Sequence, residues 1–168
     1  MGVAWPSTME GLAPPLRFGC VAHGVYRSAF PTKHAVDFLK TRNIKTVLNL
    51  RPDIEYDQSV ENWMHDQSVN LVNCKIDENK EPLVSIDIVE MNAALTYLLD
   101  AEMHPVLVHC SSGKRVTGLL VGALRRIQKW SLASIFDEYR RFAGDSSSLL
   151  DLQMIELFPL DHEYDLIP

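Results

Sequence analysis

The feature that most constrains this chain is the stretch from His109 to Gly118, with the sequence His-Cys-Ser-Ser-Gly-Lys-Arg-Val-Thr-Gly. An apolar run over 105–108 precedes it, and 120–127 carries apolar side chains at helical spacing. The pattern predicts a buried strand, a tight loop and a helix, with Cys110 on the loop at the helix N-terminus. Backbone N–H groups at such a place favour a thiolate and bind an anion. The stretch therefore predicts a thiolate nucleophile facing a phosphate-sized site.

Other positions of this stretch have candidate roles in binding or catalysis. Small residues let the backbone amides approach an anion: Ser111, Ser112 and Gly113. Lys114 offers a point charge to a second phosphate, and Thr117 can donate a hydrogen bond to the departing thiolate. His109 can support the thiolate through a hydrogen bond, although an isolated histidine at a strand end is more often a core residue.

The rest of the chain predicts an α/β fold. Its 168 residues suffice for one domain with a hydrophobic core, and we expect a flexible tail over 1–16 and a single domain over 17–168. Strand-like segments, beginning with a hairpin near 18–27, alternate with helical ones, which predicts a central, mostly parallel sheet of four or five strands flanked by helices. Four residues are predicted to start helices: Thr32, Asp87, Ser131 and Ser148, the last paired with Asp151.

Charge and composition exclude several classes of protein. The net charge of −6 argues against nucleic-acid binding, and no apolar run approaches the roughly 20 residues of a membrane span. Basic side chains gather near and beyond the Cys110 stretch, so a small anionic substrate remains compatible with the acidic chain. The three cysteines, Cys20, Cys74 and Cys110, lack Cys-x-x-Cys spacing, which favours a reducing, cytoplasmic location.

From about Gly24 to Leu157 the chain resembles the plant and fungal atypical dual-specificity phosphatases. This group of Cys-dependent tyrosine phosphatases contains the fungal inositol pyrophosphate phosphatases. Besides the Cys110 stretch, the resemblance depends on four segments: Val25-Tyr26-Arg27-Ser28-Ala29-Phe30-Pro31, Ile44-Lys45-Thr46-Val47-Leu48-Asn49-Leu50, Asn79-Lys80-Glu81-Pro82, and 130–143 with its Phe136-Asp137-Glu138-Tyr139-Arg140-Arg141-Phe142-Ala143 run.

The resemblance implies a role for each matching position. Cys110 corresponds to the nucleophile, Lys114 to the loop lysine and Thr117 to the hydroxyl that follows the loop. Lys80 lies in a segment that closes over the site, and Asp77 stands where a general acid could come from. The family needs neither metal nor cofactor, because backbone amides and cationic side chains supply the charge. Outside this set, Arg27, Arg140 and Arg141 are interpreted as surface charges or structural ion pairs.

Two positions depart from the family pattern, His-Cys-x-x-Gly-Lys-His-Arg-Thr-Gly. Arg115 occupies the position of the histidine, and Val116 occupies that of the phosphate-binding arginine. That arginine makes a bidentate contact with the phosphoryl group, and loss of one preorganised donor costs roughly 10²–10³ in rate. Arg115 is long enough to be a candidate phosphate ligand, but one residue along a helix turns the side chain by about 100°.

Three interpretations therefore stay open. The first is a slow phosphatase acting on inositol pyrophosphates or another small phosphorylated molecule. The second is a degenerate phosphatase that binds an anion or a protein partner without turnover. The third is a rhodanese-type sulfurtransferase, because Cys110, Gly113 and Arg115 also fit a Cys-x-x-Gly-x-Arg loop. The third match covers one loop, whereas the phosphatase resemblance covers most of the chain.

Overall fold

The computed structural model describes residues 12–80, 82 and 86–159. Its centre is a five-stranded sheet with the order β1-β2-β5-β3-β4, in which β1 and β2 form an antiparallel hairpin and the other pairs are parallel. The strands are β1 Gly19–Ala22, β2 Val25–Ser28, β3 Thr46–Asn49, β4 Asn70–Asn73 and β5 Val106–His109. This arrangement confirms the predicted α/β fold and the mostly parallel sheet.

Helices cover both faces of the sheet. They are α1 Val36–Lys40, α2 Gln58–Asp66, α3 Ile88–Leu99, α4 Arg115–Ile127, α5 Leu132–Ala143 and α6 Leu149–Leu157. Side chains alternate across β3 and β5, so Val47 and Leu107 pack in the core with α1 and α2, while Leu48 and Val108 pack in the core with α3 to α6. The apolar run predicted as a strand is β5, and it is continuously apolar because both of its faces are covered.

The predicted helix starts differ in how they are capped. The side chains of Asp87 and Ser131 accept hydrogen bonds from backbone N–H groups of their helices' first turns, as expected of N-caps. Thr32 and Ser148 stand at N-cap positions, but neither side chain makes a capping hydrogen bond. The helix expected after Thr32 begins with a 3₁₀ turn over Lys33–Ala35 before α1.

β5 occupies the middle of the sheet and sets the position of the functional loop. His109 aligns with Ser28 of β2 and with Asn49 of β3, so three parallel strands end together at this edge. Ligands of open α/β sheets bind at the carboxyl ends of the strands. Cys110 begins the loop that leaves this edge and leads into α4, the helix that packs against α3, α5 and α6.

The domain boundaries stay a prediction. Residues 1–11 and 160–168 lie outside the described part of the chain, as does Glu81 of the 79–82 motif. Just before β1, the Pro15 carbonyl accepts a hydrogen bond from the backbone N–H of Phe18, and the Leu16 carbonyl accepts one from that of Ala29.

Candidate active site

The Cys loop, residues 110–114, wraps around the thiol of Cys110. Cys110 is 1% exposed, and the backbone N–H of Gly113 donates a hydrogen bond to its Sγ at 3.2 Å. The loop ends where α4 begins at Arg115. The sulfur therefore lies at the N-terminus of a thirteen-residue helix, where the helix dipole and the free N–H groups favour negative charge.

Donors outside the loop hold its carbonyls. Ser111 O accepts from the Phe30 backbone N–H at 3.2 Å, Ser112 O from Arg17 Nη1 at 3.2 Å and Gly113 O from Arg27 Nη2 at 3.0 Å. In a trans peptide the N–H of the next residue points away from the carbonyl. The amides of residues 112–114 therefore face away from these donors, and the Gly113 N–H that reaches the sulfur shows this directly. The result is a backbone cradle in which the carbonyls are held from outside and the Gly113 N–H points to the sulfur of Cys110.

Gly113 is required by both the conformation and the packing of the loop. Its φ of +68° lies in the left-handed region that favours glycine. A Cβ built there would lie 2.5 Å from the backbone nitrogen of Ala29 and 2.6 Å from the carbonyl carbon of Ser28. The loop thus lies directly against the chain that leaves β2.

His109 lies behind the loop as a buried, neutral side chain. Its Nε2 is 2.6 Å from the Tyr56 hydroxyl, its Nδ1 is 3.4 Å from the Cys110 carbonyl oxygen, and Phe30 packs edge-on against its ring. Burial lowers the pKa of His109 to about 4, so the ring is uncharged at neutral pH. It is placed to orient the first peptide of the loop and carries no charge of its own there.

Arg115 is held by protein groups. Its Nε donates to Asp151 Oδ2 at 2.7 Å, its Nη2 donates to Asp151 Oδ1 at 3.1 Å and to the Asn79 carbonyl at 3.0 Å, and its Nη1 lies 3.6 Å from Glu78 Oε2. The hydrogen bond with Asp151 raises the pKa of Arg115 further above its usual range. The guanidinium therefore ties the start of α4 to α6 and to the 78–79 segment.

Val116 and Thr117 are both completely buried in the first turn of α4. Val116 belongs to the hydrophobic core that surrounds α4. The Thr117 hydroxyl has no hydrogen-bond partner among the described residues. An aliphatic side chain thus occupies the position for which the resemblance implies a phosphate-binding arginine.

Three predicted residues remain: Lys114 in the Cys loop, and Asp77 and Lys80 in the segment after β4. Lys114 Nζ donates to Ser146 Oγ at 3.1 Å, in a 3₁₀ turn that follows α5. Asp77 and Lys80 are exposed and line a cavity of about 360 Å³ together with Arg51 and Glu78. The Asp77 carboxylate lies 3.7 Å from Lys75 Nζ.

The sequence pattern missed several residues that the structure places at the site. Arg27 was interpreted as a surface charge or a structural ion pair, but it is 1% exposed and bonds the loop carbonyl of Gly113. Tyr56 bonds His109, and Asp151 holds Arg115. The register of β2 beside β5 brings Arg27 to the loop, and the docking of α6 brings Asp151 to Arg115; no local sequence signal reports either contact.

Arg51 is a further cation that the sequence pattern did not single out. It follows β3, is held by Asp53 through Nε at 2.9 Å and Nη2 at 2.7 Å, and lines the same cavity as Lys80. The hydrogen bond with Asp53 raises the pKa of Arg51, and the charges of Glu78 and Cys110 act in the same direction.

Among the residues the structure describes, no helix is long and apolar enough to cross a membrane.

Comparison with known proteins agrees with this architecture. A family model described as "Tyrosine phosphatase family" matches residues 12–166. Inositol diphosphatase DSP1 of Oryza sativa subsp. japonica is 43% identical over 90% of this chain and 68% of its own length. Inositol diphosphatase SIW14 of Saccharomyces cerevisiae is 40% identical over 88% of this chain and 53% of its own length.

A solved structure has the same fold. The crystal structure of the core catalytic domain of the PP-IP phosphatase SIW14 from S. cerevisiae, in complex with citrate, superposes with a TM-score of 0.84 at 36% sequence identity. The match covers 92% of this chain and 93% of that domain. The resemblance inferred from the sequence motifs is thereby confirmed over most of the chain.

Proposed function

Because this chain belongs to the tyrosine phosphatase family, we propose that it is a Cys-dependent phosphatase that removes a terminal phosphoryl group from inositol pyrophosphates or from another small phosphorylated molecule. The observation that carries the proposal is the Cys loop, whose carbonyls are held by donors outside the loop and whose Gly113 N–H reaches the sulfur of Cys110 at 3.2 Å. The names of the rice and yeast relatives, both inositol diphosphatases, support the substrate class.

In the proposed reaction the Cys110 thiolate attacks the terminal phosphorus in line with the leaving group. A sulfur–phosphorus bond forms, the bond to the bridging oxygen breaks, and the leaving phosphate takes a proton for which Asp77 is the candidate donor. The loop amides of Ser111 to Lys114 bind the phosphoryl oxygens, while Lys114 and Lys80 attract the other phosphates. Water then hydrolyses the phospho-cysteine, and Thr117 donates a hydrogen bond to the departing thiolate.

We expect turnover to be slow because of Val116. Its side chain is buried in the core, and Arg115, the nearest cation along the chain, is bound by Asp151 and Asn79. Loss of one preorganised donor to the transferring group costs roughly 10²–10³ in rate. These observations also favour a second candidate function, in which the cradle binds the phosphorylated ligand, or a protein partner that carries one, without hydrolysing it.

Phosphate release from an inositol pyrophosphate by five proteins tests the proposal: wild type, Cys110→Ser, Val116→Arg, Arg115→Ala and the matched control Cys74→Ser. We expect slow release by the wild type and the control, none by Cys110→Ser, and at least about tenfold faster release by Val116→Arg.

If neither the wild type nor any variant releases phosphate from any phosphorylated substrate tried, hydrolysis is refuted and the binding function is favoured. Cys110-dependent sulfur transfer from thiosulfate to cyanide would instead favour the rhodanese interpretation. Unchanged release by Val116→Arg together with loss of release in Arg115→Ala would mean that Arg115 supplies the missing contact.

A further inference from the structure

We propose that Arg27 is a positioning residue for the anion site, because it fixes the peptide between Gly113 and Lys114 and places a buried positive charge behind the Cys loop. The proposal rests on the proposed function, since it concerns the same anion-binding loop. It assigns to β2 a part in ligand binding that the loop sequence alone does not contain.

Arg27 reaches the loop from the neighbouring strand. It pairs with Val108 in the β2–β5 register, two residues before Cys110. Its guanidinium carbon lies 3.7 Å from the centre of the Phe142 ring on α5, and its Cγ lies close to Gly19 of β1. These contacts confine a long side chain to one direction, in which Nη2 meets the Gly113 carbonyl at 3.0 Å.

The hydrogen bond decides which way one peptide group faces. With the Gly113 carbonyl held by Arg27, the N–H of Lys114 must point to the opposite side of the peptide plane. That is the last amide before α4 begins, at the place where a helix N-terminus binds an anion. Without the restraint, the carbonyl can turn toward the cradle and present an oxygen to the anion.

The charge of Arg27 is costly where it lies. Its Nε and Nη1 are buried and have no hydrogen-bond partner among the described residues. Burial lowers the pKa of Arg27 to about 10, and the charges of Glu138 and Cys110 oppose that shift. Glu138 itself bonds Arg125 at 2.8 Å. A buried cation with so few hydrogen-bond partners does not stabilise the fold, because its desolvation is not compensated. A thiolate or a bound anion on the Cys loop would supply the compensating charge.

The test measures anion binding without turnover. The rate at which iodoacetamide alkylates Cys110 is measured by mass spectrometry at increasing concentrations of inorganic phosphate. The half-protecting concentration, at which phosphate halves this rate, is compared among variants. Arg27→Met removes the charge and the hydrogen bond, and Arg27→Lys keeps the charge without the planar fork. Arg141→Met is the matched control, because that arginine is largely exposed and its ion pair is with the exposed Asp137.

We expect Arg27→Met to raise the half-protecting phosphate concentration at least about tenfold, Arg27→Lys to lie between Met and wild type, and Arg141→Met to equal wild type. A melting temperature identifies the variants that are folded. If Arg27→Met is not folded, the phosphate affinity of Arg27→Lys decides whether Arg27 contributes to anion binding. Crystals of a folded variant grown in phosphate should show the Gly113 carbonyl turned from its wild-type direction.

Wild-type phosphate affinity in both Arg27 variants would overturn the proposal. Equal losses of phosphate affinity in Arg27→Lys and Arg27→Met would overturn the claim that the positive charge of Arg27 contributes to anion binding. Absence of phosphate protection in the wild type would overturn this proposal together with the proposed function. Intact, Arg27-dependent protection without turnover would overturn only the hydrolytic function.

Discussion

Asp151 is the residue whose replacement we expect to destabilise this fold most clearly. It is completely buried on α6, and its carboxylate accepts hydrogen bonds from three parts of the chain. Besides the two bonds from Arg115, it accepts from the Tyr139 hydroxyl at 2.5 Å and from Asn79 Nδ2 at 2.9 Å. Asp151→Asn removes the negative charge with almost no change in volume, and it leaves the Arg115 cation without its buried acid, with the more distant Glu78 carboxylate as its remaining acidic neighbour among the described residues.

The magnitude follows from the burial of the pair. Removing one partner of a buried ion pair costs about 3–5 kcal/mol, and we take the lower end, about 3 kcal/mol, because the Arg115 side chain keeps 20% of its exposure. For a chain of this size, each kcal/mol shifts the melting temperature by about 2–4 °C, which gives a fall of about 6–12 °C. The assay is thermal unfolding, with urea unfolding to give the free energy directly.

Asp137→Asn is the matched control. Its carboxylate bonds Arg141 at 2.7 Å, but both side chains are more than 70% exposed, so the expected change is within about 1 kcal/mol. A melting temperature for Asp151→Asn within 2 °C of the control would refute the reasoning. So would a double-mutant cycle with Arg115→Met that finds no coupling energy, since the argument requires the two side chains to act as a pair.

Three further outcomes are expected. Gly113→Ala should abolish phosphate protection of Cys110, because the new Cβ would lie 2.5 Å from a backbone nitrogen and force the loop out of shape; protection equal to wild type would contradict this. Because the folded-state pKa of His109 lies near 4, below its unfolded value of 6.5, the unfolded chain binds the extra proton. Urea titrations should therefore show the unfolding free energy falling by up to about 3 kcal/mol from pH 6.5 to pH 4, and His109→Gln should flatten that dependence while the exposed His65→Gln should not. Peptide mapping after brief alkylation at pH 6 should find Cys110 labelled before the other two cysteines, and equal labelling of all three would count against a reactive thiolate.

The sequence predicted what depends on short-range patterns. An apolar run, a Cys-Ser-Ser-Gly turn and a helical stretch are contiguous, so β5, the Cys loop and α4 could be placed from about twenty residues. The cap residues Asp87 and Ser131 act within three residues of themselves, and both were predicted correctly. Signals of this kind depend only on local geometry, so they can be recognised without knowledge of the rest of the fold.

The contacts missed from the sequence join residues that are distant along the chain. Asp151 was predicted to help start the last helix beside Ser148, since that spacing fits a capping pattern. In the structure its carboxylate turns inward, because α6 docks on α4 and brings it to Arg115, 36 residues earlier. Arg27 was missed for the same reason: an arginine in a short strand gives no sign of being buried until the strand order places β2 beside β5.

These long-range contacts separate the shape of the loop from the identity of residue 116. The Cys-loop carbonyls are held by Phe30, Arg17 and Arg27, and the start of α4 is fixed by core packing and by the Arg115–Asp151 pair. The hydrogen bonds to the loop carbonyls and the Arg115–Asp151 pair do not involve the side chain at position 116, although Val116 contributes to the core packing of α4. On the proposed function, Val116 in place of the family's arginine therefore means one donor fewer to the transferring phosphoryl group, while the hydrogen bonds that shape the Cys loop remain. Binding should depend mainly on the cradle and its surrounding cations, whereas rate should depend on the missing guanidinium. It follows that affinity for an anion and turnover can be measured as separate properties in this chain, with Arg27 variants changing the first and Val116→Arg changing chiefly the second.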